Sequence, residues 1–271
     1  MTVAETDRTT FVAEWHEWHR QHEAHLADPH GFLAITALHW LNEDDQRFDG
    51  LPGSWRTDAN GVQVRLAEGA ELVVDGEAVH GEFNFGVIPE RGGRTAAFGD
   101  AVVEVAKRGG YDILRPRHPD NALLTNFAGT PTFPPSPEWV VAGRFTPFSA
   151  PRDITVGAAV EGLQHVYNSP GQIEFDLSGQ TFRLTAFNGK EPGSLMVLFT
   201  DATSGVTTYA ANRALQVGTP DADGAVVLDF NRAANLPCAY TDLATCPLPP
   251  AENQLSIGVE AGEKIPYERR P

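Results

Sequence analysis

The spacing of hydrophobic positions in this chain changes close to residue 30. From Phe11 to Leu26, aromatic, histidine and leucine side chains recur at steps of three and four residues, which places them on one face of an α-helix. Asp28 precedes a proline and is therefore disfavoured in the helical conformation. The pattern predicts an N-terminal helix within residues 1–30.

After residue 46 the chain consists of short runs of β-branched and aromatic residues separated by turns. Many turns contain glycine, as in DANG, VDGE, KRGG, LSGQ, FNGK and DADG, and glycine supplies the positive φ that tight hairpin turns require. Residues 31–41 are apolar on both sides and fit either a buried helix or a strand. Strands at this spacing predict a mainly β protein, an antiparallel β-sandwich or barrel.

A proline-rich stretch at 128–138, AGTPTFPPSPE, is the candidate boundary in this β region. Such a stretch cannot form a central strand, so it is a linker or a rigid loop at one end of a sheet. We therefore predict a helix at 1–30, a first β subdomain at 31–127 and a second at 128–271. The two β parts are equally compatible with one continuous domain.

The net charge limits the kinds of partner. Lys and Arg total 20 and Asp and Glu total 36, which gives 20 − 36 = −16. A chain this acidic repels phosphate backbones and anionic membrane surfaces, so we expect no nucleic acid and no membrane partner. No leader-like or long apolar segment is evident, which favours a soluble cytoplasmic protein. The sequence leaves the oligomeric state open, a homodimer included.

The two cysteines, Cys238 and Cys246, are too few for a disulfide scaffold and are expected to be free thiols. A bridge between them is sterically allowed but not favoured. One interpretation makes either of them a catalytic nucleophile, for which Arg232, His118 or His165 would lower the thiol pKa. A second makes them metal ligands together with a histidine, and a third makes them small buried residues in a rigid loop.

The stretch 227–264 carries most of the candidate chemistry. We expect strands at 207–210, 213–217, 225–230 and 255–260, and we expect the strand of Tyr209 and Arg213 to pair with the strand at 225–230. That pairing would bring Arg213, Asn231 and Arg232 together as an anion-binding group, with Tyr209 as a further ligand-binding residue. The alternative is that Arg213 pairs with an aspartate, Asp229 or Asp201, and clamps a turn.

Further candidates flank this group. Glu252 and Asn253 follow a run of prolines that would hold them stiffly, Glu252 as a catalytic group and Asn253 as a ligand-binding one. Glu260 and Glu263 are expected on the surface. The run RPRHPDN offers Arg115 and Arg117 for ligand binding and His118 for acid-base catalysis. Four histidines of the first helix suggest a metal site, but one helix face supplies too few ligands, and packing or exposure explains them better.

Several stretches together resemble a known family: GFLAITALHWL, GGYDILRPRHPDN, FAGTPTFPPSPEWVVAGRF, FTDATSGVTTYAANRAL and LDFNRAANLPCAYTDLATCPLPPAENQLSIGVEAGE. They resemble the uncharacterised family catalogued as domain of unknown function 1684. Ala234 and Leu236 stand where that pattern has an aromatic residue and a proline, and His118 stands where it has an aspartate. The resemblance implies no particular chemistry.

Signatures of phosphate-binding, dinucleotide-binding, serine-hydrolase and zinc-protease sites are missing, and we expect no cofactor and no resident metal. Our first hypothesis is an enzyme of the hydrolase or group-transfer type that acts on a small polar or anionic metabolite through an Arg, Asn and Cys pocket. The alternatives are a non-catalytic module that binds a small ligand and a metal-binding protein that uses Cys238, Cys246 and a histidine.

Overall fold

The computed structural model describes residues 3–269 of the chain. Helix α1 (Val3–Leu26) ends before Asp28, as the sequence predicts. Strands and a short helix follow, namely β1 (His39–Trp40), β2 (Ser54–Asp58), β3 (Gly61–Arg65), β4 (Leu72–Val74), β5 (Glu77–Val79), β6 (Glu82–Gly86), β7 (Gly93–Phe98), β8 (Ala101–Arg108), β9 (Tyr111–Arg117) and α2 (Ala122–Thr125). The remaining strands are β10 (Val140–Gly157), β11 (Gln164–Leu177), β12 (Gln180–Asn188), β13 (Leu195–Phe199), β14 (Arg213–Val217), β15 (Ala225–Asp229) and β16 (Ala234–Asn235).

The chain divides into two compact units, and the first of them is discontinuous. We call it the split unit, because it combines the residues up to Glu23 with those from Gly129 onwards. Ala24–Ala128 form the second, which we call the inserted unit. The split unit therefore contains most of α1 together with β10 to β16.

The strands form three antiparallel sheets. In the inserted unit, one sheet has the order β1-β9-β8-β7-β4-β5 and a smaller one has the order β2-β3-β6. In the split unit, the order is β15-β10-β11-β12-β13-β14-β16. The prediction of a mainly β, antiparallel protein with an N-terminal helix is confirmed, and the sheets of residues 3–269 are sandwich-like rather than closed barrels.

The core of the split unit follows from alternation along its strands. In β11, residues from His165 to Leu177 alternate between buried and exposed, as expected where a sheet has one covered face. Ile173 and Phe175 on the buried face pack with Leu184 of β12 and Phe230. Burial of such side chains contributes roughly 1.5–3 kcal/mol each, which makes this cluster the main source of stability of the unit.

Two expectations about the strands are wrong. The predicted strand at 207–210 is a tight loop, in which Thr207 and Thr208 both donate backbone hydrogen bonds to Thr203 O. Residues 255–260 do not form a regular strand. Their backbone bonds to Thr200 and Ala202 at Leu255 and Ile257, but at Val259 side chains take over: Arg213 binds Val259 O at 3.0 Å, and Asp201 accepts from Val259 N at 3.3 Å.

The expected pairing around Arg213 is also wrong. Strand β14 pairs with β13 and β16, whereas β15 pairs with β10 at the opposite edge of the sheet. The segment 218–224 therefore joins two strands that lie close in space but are not hydrogen-bonded to each other, instead of making a hairpin. Arg213 lies opposite Asn235 in the β14–β16 register, not beside the strand at 225–229.

Candidate functional site

Cys238 lies in a single turn of 3-10 helix, Pro237–Ala239, that follows β16. Proline near the start of the turn presets the φ angle that the turn requires. The backbone N–H of Ala239 then closes the turn onto Leu236 O at 2.9 Å. The position of Cys238 is thereby fixed relative to the sheet that contains β16.

Cys246 is held by a second anchored stretch. Its carbonyl oxygen accepts a hydrogen bond from Ala159 N at 2.8 Å, just beyond the end of β10. His165 of β11 donates from Nε2 to the carbonyl of Thr245 at 2.6 Å, and the His165 side chain is buried. Cys246 is thus tied to the two longest strands of the split unit.

The two cysteines contact each other. Both are free and buried, with exposures of 3% for Cys238 and 7% for Cys246. The backbone N–H of Cys238 donates to Cys246 Sγ at 3.3 Å. Leu236, Ala244 and Tyr209 pack around the pair and complete a small apolar cluster. We call Cys238, Cys246, Tyr209 and the neighbouring Arg269 the thiol cluster.

Arg269 brings positive charge to the thiols. Its Nη2 group donates to Cys238 O at 3.4 Å and to Asp242 Oδ1 at 2.6 Å. The side chain of Arg269 remains 29% exposed. The cluster therefore has a buried sulfur side and a partly exposed side formed by Arg269 and the half-buried Tyr209.

These neighbours favour the thiolate form of Cys238. The hydrogen bond with the Cys246 thiol lowers the pKa of Cys238, burial opposes it, and the Tyr209 hydroxyl and the Arg269 charge lower it further, so the net pKa lies below its ordinary value of 9.0. Burial and the adjacent Cys238 raise the pKa of Tyr209 to about 12. At neutral pH Tyr209 is therefore a hydrogen-bond donor beside a thiol of increased thiolate character.

A model of the family described as "Protein of unknown function (DUF1684)" matches residues 125–264 of this chain. The chain belongs to that family. The resemblance seen in the sequence is thus confirmed, and the matched residues include Cys238, Cys246 and Tyr209 but end before Arg269.

Among solved structures, this DUF1684 chain is similar to the uncharacterised protein from gene locus rrnAC0354 of Haloarcula marismortui, determined by solution NMR. The two are 34% identical over 52% of this chain and 78% of that chain, with a TM-score of 0.44. No curated protein matches the chain.

Arg213 of the DUF1684 chain, expected in an anion-binding group, lies inside the split unit with 1% exposure. Its Nη2 group binds Asp201 Oδ2 at 2.7 Å, and its Nη1 group donates to the carbonyl oxygen of Ala261. Burial lowers the pKa of Arg213, and the charge of Asp201 opposes that shift. The structure therefore shows the clamp that the sequence left as the alternative, with Asp201 rather than Asp229 as its partner.

Asn231 has its polar atoms engaged within the split unit. Its side chain exchanges hydrogen bonds of 2.9 Å with both backbone groups of Ser136 and donates to Asp229 Oδ1 at 2.8 Å. Its carbonyl oxygen accepts from Trp15 Nε1 at 2.8 Å. Arg232 is separate from Arg213: it binds Asp229 at 3.1 Å, and its guanidinium lies 5.5 Å from the ring centroid of Trp18.

Asn253 joins strands β12 and β13. Its amide accepts from Thr185 N at 2.8 Å and donates to Thr185 O and Leu198 O at 2.9 and 2.8 Å. Glu252 is exposed and accepts from the hydroxyl of Thr185 at 2.8 Å. The structure brings Glu252 and Asn253 together around Thr185 and shows no contact of either with the described thiols.

Arg115, Arg117 and His118 belong to the inserted unit. Arg115 binds Glu104 through Nε and Nη2 at 3.1 and 2.8 Å, and Arg117 binds the same carboxylate. Arg108, which sequence reasoning missed, adds a third guanidinium at 3.0 Å. Burial raises the pKa of Glu104, but Arg115 and the two other arginines outweigh it and lower the pKa to about 2. His118 accepts a hydrogen bond from Asp120 N at 3.1 Å and is partly exposed.

Within the split unit, the carboxylate of Glu263 connects α1 to β16. His22 Nε2 lies 2.9 Å from Glu263 Oε1, and Asn235 N donates to Glu263 Oε2 at 2.5 Å. The expectation that Glu263 is a surface residue is therefore wrong, because these hydrogen bonds replace water around a carboxylate with 1% exposure. Glu260 is exposed, as expected.

Arg269 and Glu263 were not found from the sequence as members of a site. Arg269 lies 31 positions from the carbonyl it contacts, and His22 lies 241 positions from Glu263. No local pattern encodes such contacts.

Among residues 3–269, no helix is long and apolar enough to cross a membrane. In the same range, no group of three or more His, Cys, Asp or Glu side chains is arranged to hold a metal ion.

Proposed function

We propose that this protein is an enzyme of the hydrolase or acyl-transfer type, in which the Cys238 thiolate attacks a small anionic substrate. The observation that supports the proposal is the convergence of a thiol of lowered pKa, a second thiol, a protonated phenol and a guanidinium in the thiol cluster. Buried cysteines with a structural role alone have no need of the last two groups.

In this proposal each member of the cluster has one role. Cys238 Sγ forms a bond to the acyl carbon of an ester or thioester, and the leaving group departs with the bonding pair and a proton from water. Tyr209 donates a hydrogen bond to the oxygen on which negative charge develops. Arg269 binds the anionic group of the substrate, since Arg213 is buried inside the fold with its Nη groups bound to Asp201 and Val259. Water then hydrolyses the acyl-thiol and restores Cys238.

Alkylation of the folded protein over a pH series tests the nucleophile. We expect Cys238 to react with a bimane reagent with a midpoint below pH 9.0, its ordinary pKa, and Cys238→Ser to remove that reaction. Mass spectrometry after incubation with p-nitrophenyl hemisuccinate should find an acyl group on Cys238, and the neutral p-nitrophenyl acetate should react more slowly. If both thiols of the folded protein stay inert up to pH 9.0, the proposal fails.

One observation favours a second candidate, a non-catalytic module that binds anions in the inserted unit. Three guanidinium groups, those of Arg108, Arg115 and Arg117, share the single carboxylate of Glu104. A local excess of positive charge in a chain of net charge −16 attracts anions. Titration calorimetry with citrate, comparing the natural protein with Arg117→Gln, tests it: equal or absent heats in the two proteins would remove this candidate.

A further inference from the structure

The thiol cluster also holds the parts of a reversible modification site. We propose that a hydroperoxide converts Cys238 and Cys246 into a disulfide, with Cys238 oxidised first and Cys246 as the resolving thiol. The proposal names a regulation of the same site, and it rests on the proposed function only for the reactivity of Cys238.

The geometry of the pair allows the bond to form. Cys246 Sγ already accepts a hydrogen bond from Cys238 N at 3.3 Å, and both cysteine side chains belong to the same buried apolar cluster. A disulfide requires the two Cβ atoms to lie about 3.5–4.5 Å apart. Because Cys246 Sγ already contacts the backbone of Cys238, we expect the two side chains to reach that arrangement mainly by rotation about their own torsion angles, without a change of strand pairing.

The backbone on each side of the bridge is anchored. The turn that carries Cys238 closes onto Leu236 O at 2.9 Å, and Cys246 O is bound to Ala159 N at 2.8 Å. Asn212 donates from its side chain to Pro247 O at 2.7 Å and fixes the residue after Cys246. The disulfide would therefore close residues 239–245 into a loop between two fixed points.

The two sulfurs differ in their surroundings, and this difference sets the order of the steps. Tyr209 and Arg269 act on Cys238 and stabilise its thiolate, so Cys238 is the sulfur that attacks the terminal oxygen of the hydroperoxide. The O–O bond breaks, the alcohol or water leaves with a proton, and Cys238 becomes a sulfenic acid. Cys246 then attacks the sulfenic sulfur, and the S–S bond forms as water departs. Two thiols lose two protons and two electrons, and the hydroperoxide gains them.

Oxidation would remove the nucleophile of the proposed function, and a dithiol would restore it. The chain contains two cysteines in total, so a count of alkylatable thiols reports on this pair alone. A sulfenic acid with a resolving thiol in contact forms a disulfide instead of proceeding to irreversible acids. The pair would therefore protect Cys238 as well as inactivate it.

Intact-mass and peptide analysis of the folded protein after hydrogen peroxide treatment and acid quenching tests the proposal. We expect a loss of two hydrogen atoms, a peptide bridged between Cys238 and Cys246, and recovery of both thiols with dithiothreitol. In Cys246→Ser, dimedone should instead trap a sulfenic acid on Cys238. In Cys238→Ser, Cys246 should stay reduced at the same peroxide dose.

The outcomes separate this proposal from the proposed function. A bridged peptide without acylation of Cys238 would support the switch and reject the enzyme. Acylation of Cys238 together with two alkylatable thiols after peroxide would reject the switch and keep the enzyme. The measurement on the natural protein decides the question even if a variant does not fold, and oxidation of Cys246 in Cys238→Ser at the wild-type rate would overturn the assigned order.

Discussion

Arg213 and Arg269 are two arginines of the same unit with opposite surroundings. Arg213 is buried, with Asp201 as its charge partner, and its two Nη groups also bind the carbonyl oxygens of Val259 and Ala261. Arg269 is partly exposed, contacts Asp242 and donates to the carbonyl oxygen of Cys238. The first has no donor directed at solvent that could bind a ligand, whereas the second keeps part of its side chain in water.

The contrast shows how an acidic chain uses its arginines for two purposes. A buried guanidinium with a carboxylate partner holds irregular backbone in place. Removing one partner lowers the free energy of unfolding by far more than the intact pair contributes to it, because the other charge is left buried and unpaired. A guanidinium at the surface contributes little stability and is free to act on neighbouring groups. Three predictions follow from this contrast, in decreasing order of effect.

Replacing Arg213 should have the largest effect. Arg213→Met leaves the carboxylate of Asp201 buried without its charge partner and leaves the carbonyls of residues 259 and 261 without donors. We expect the free energy of unfolding to fall by roughly 3–5 kcal/mol. Denaturant unfolding followed by circular dichroism measures it.

The matched control for this variant is Arg183→Met, which breaks the exposed pair between Arg183 and Glu174 in the same sheet. That change should cost under about 1 kcal/mol. A similar small loss in Arg213→Met would show that the clamp is not a structural requirement.

Replacing Glu104 extends the comparison to the inserted unit. Its pKa falls from 4.5 to about 2 in the folded protein, and each pKa unit corresponds to about 1.4 kcal/mol, so its ionised form contributes roughly 3 kcal/mol. A lowered carboxyl pKa stabilises the fold above the unfolded pKa, and the contribution is lost as the pH falls through the folded one. Glu104→Gln should reduce the stability at neutral pH by a similar amount.

The pH dependence distinguishes this variant from a simple packing defect. The natural protein should lose the Glu104 contribution progressively between pH 4.5 and about pH 2. Glu104→Gln should lack that part of the decline in acid unfolding experiments. Parallel curves for the two proteins across this range would mean that the arginines do not stabilise the carboxylate.

Replacing Arg269 should have the smallest effect on stability and a clear effect on the thiol. Arg269→Gln removes an exposed ion pair, which costs under about 1 kcal/mol. It also removes a positive charge that lowers the pKa of Cys238, so the midpoint of thiol alkylation should move to higher pH. Asp242→Asn breaks the same pair but keeps the guanidinium, and the midpoint should then not rise. A rise in both variants would contradict a direct effect of Arg269.

Much of the fold could be predicted because its signals are local. Glycines in turns such as Gly76 and Gly179 adopt positive φ, and the end of α1 follows from Asp28. Pro147 and Pro170 interrupt the β-type sequence pattern, yet the structure has one long pair, β10 and β11, across them. In the structure both prolines lie at the register shift of this pair, where the ladder is interrupted and proline needs no donor.

The remainder depends on contacts between distant residues. Residues 255–260 have the composition of a strand, yet the side chains of Arg213 and Asp201 bind the backbone of Val259 in place of a neighbouring strand. The sequence placed Cys238, Cys246 and Tyr209 among the site residues, and the structure brings these three together. The sequence could not reveal Arg269, because no residue near it in the chain indicates that its side chain donates to the carbonyl oxygen of Cys238.

The hydrogen bond between His22 and Glu263 has a consequence for synthesis on the ribosome. These residues are 241 positions apart, so α1 leaves the ribosome long before its partners exist. At roughly 5–20 residues per second, the wait is on the order of tens of seconds. During that time Ala24–Ala128, whose strands pair among themselves, can fold, while the apolar face of α1 around Trp15 remains uncovered. The nascent chain thus presents an amphipathic helix to chaperones until its C-terminal segment emerges.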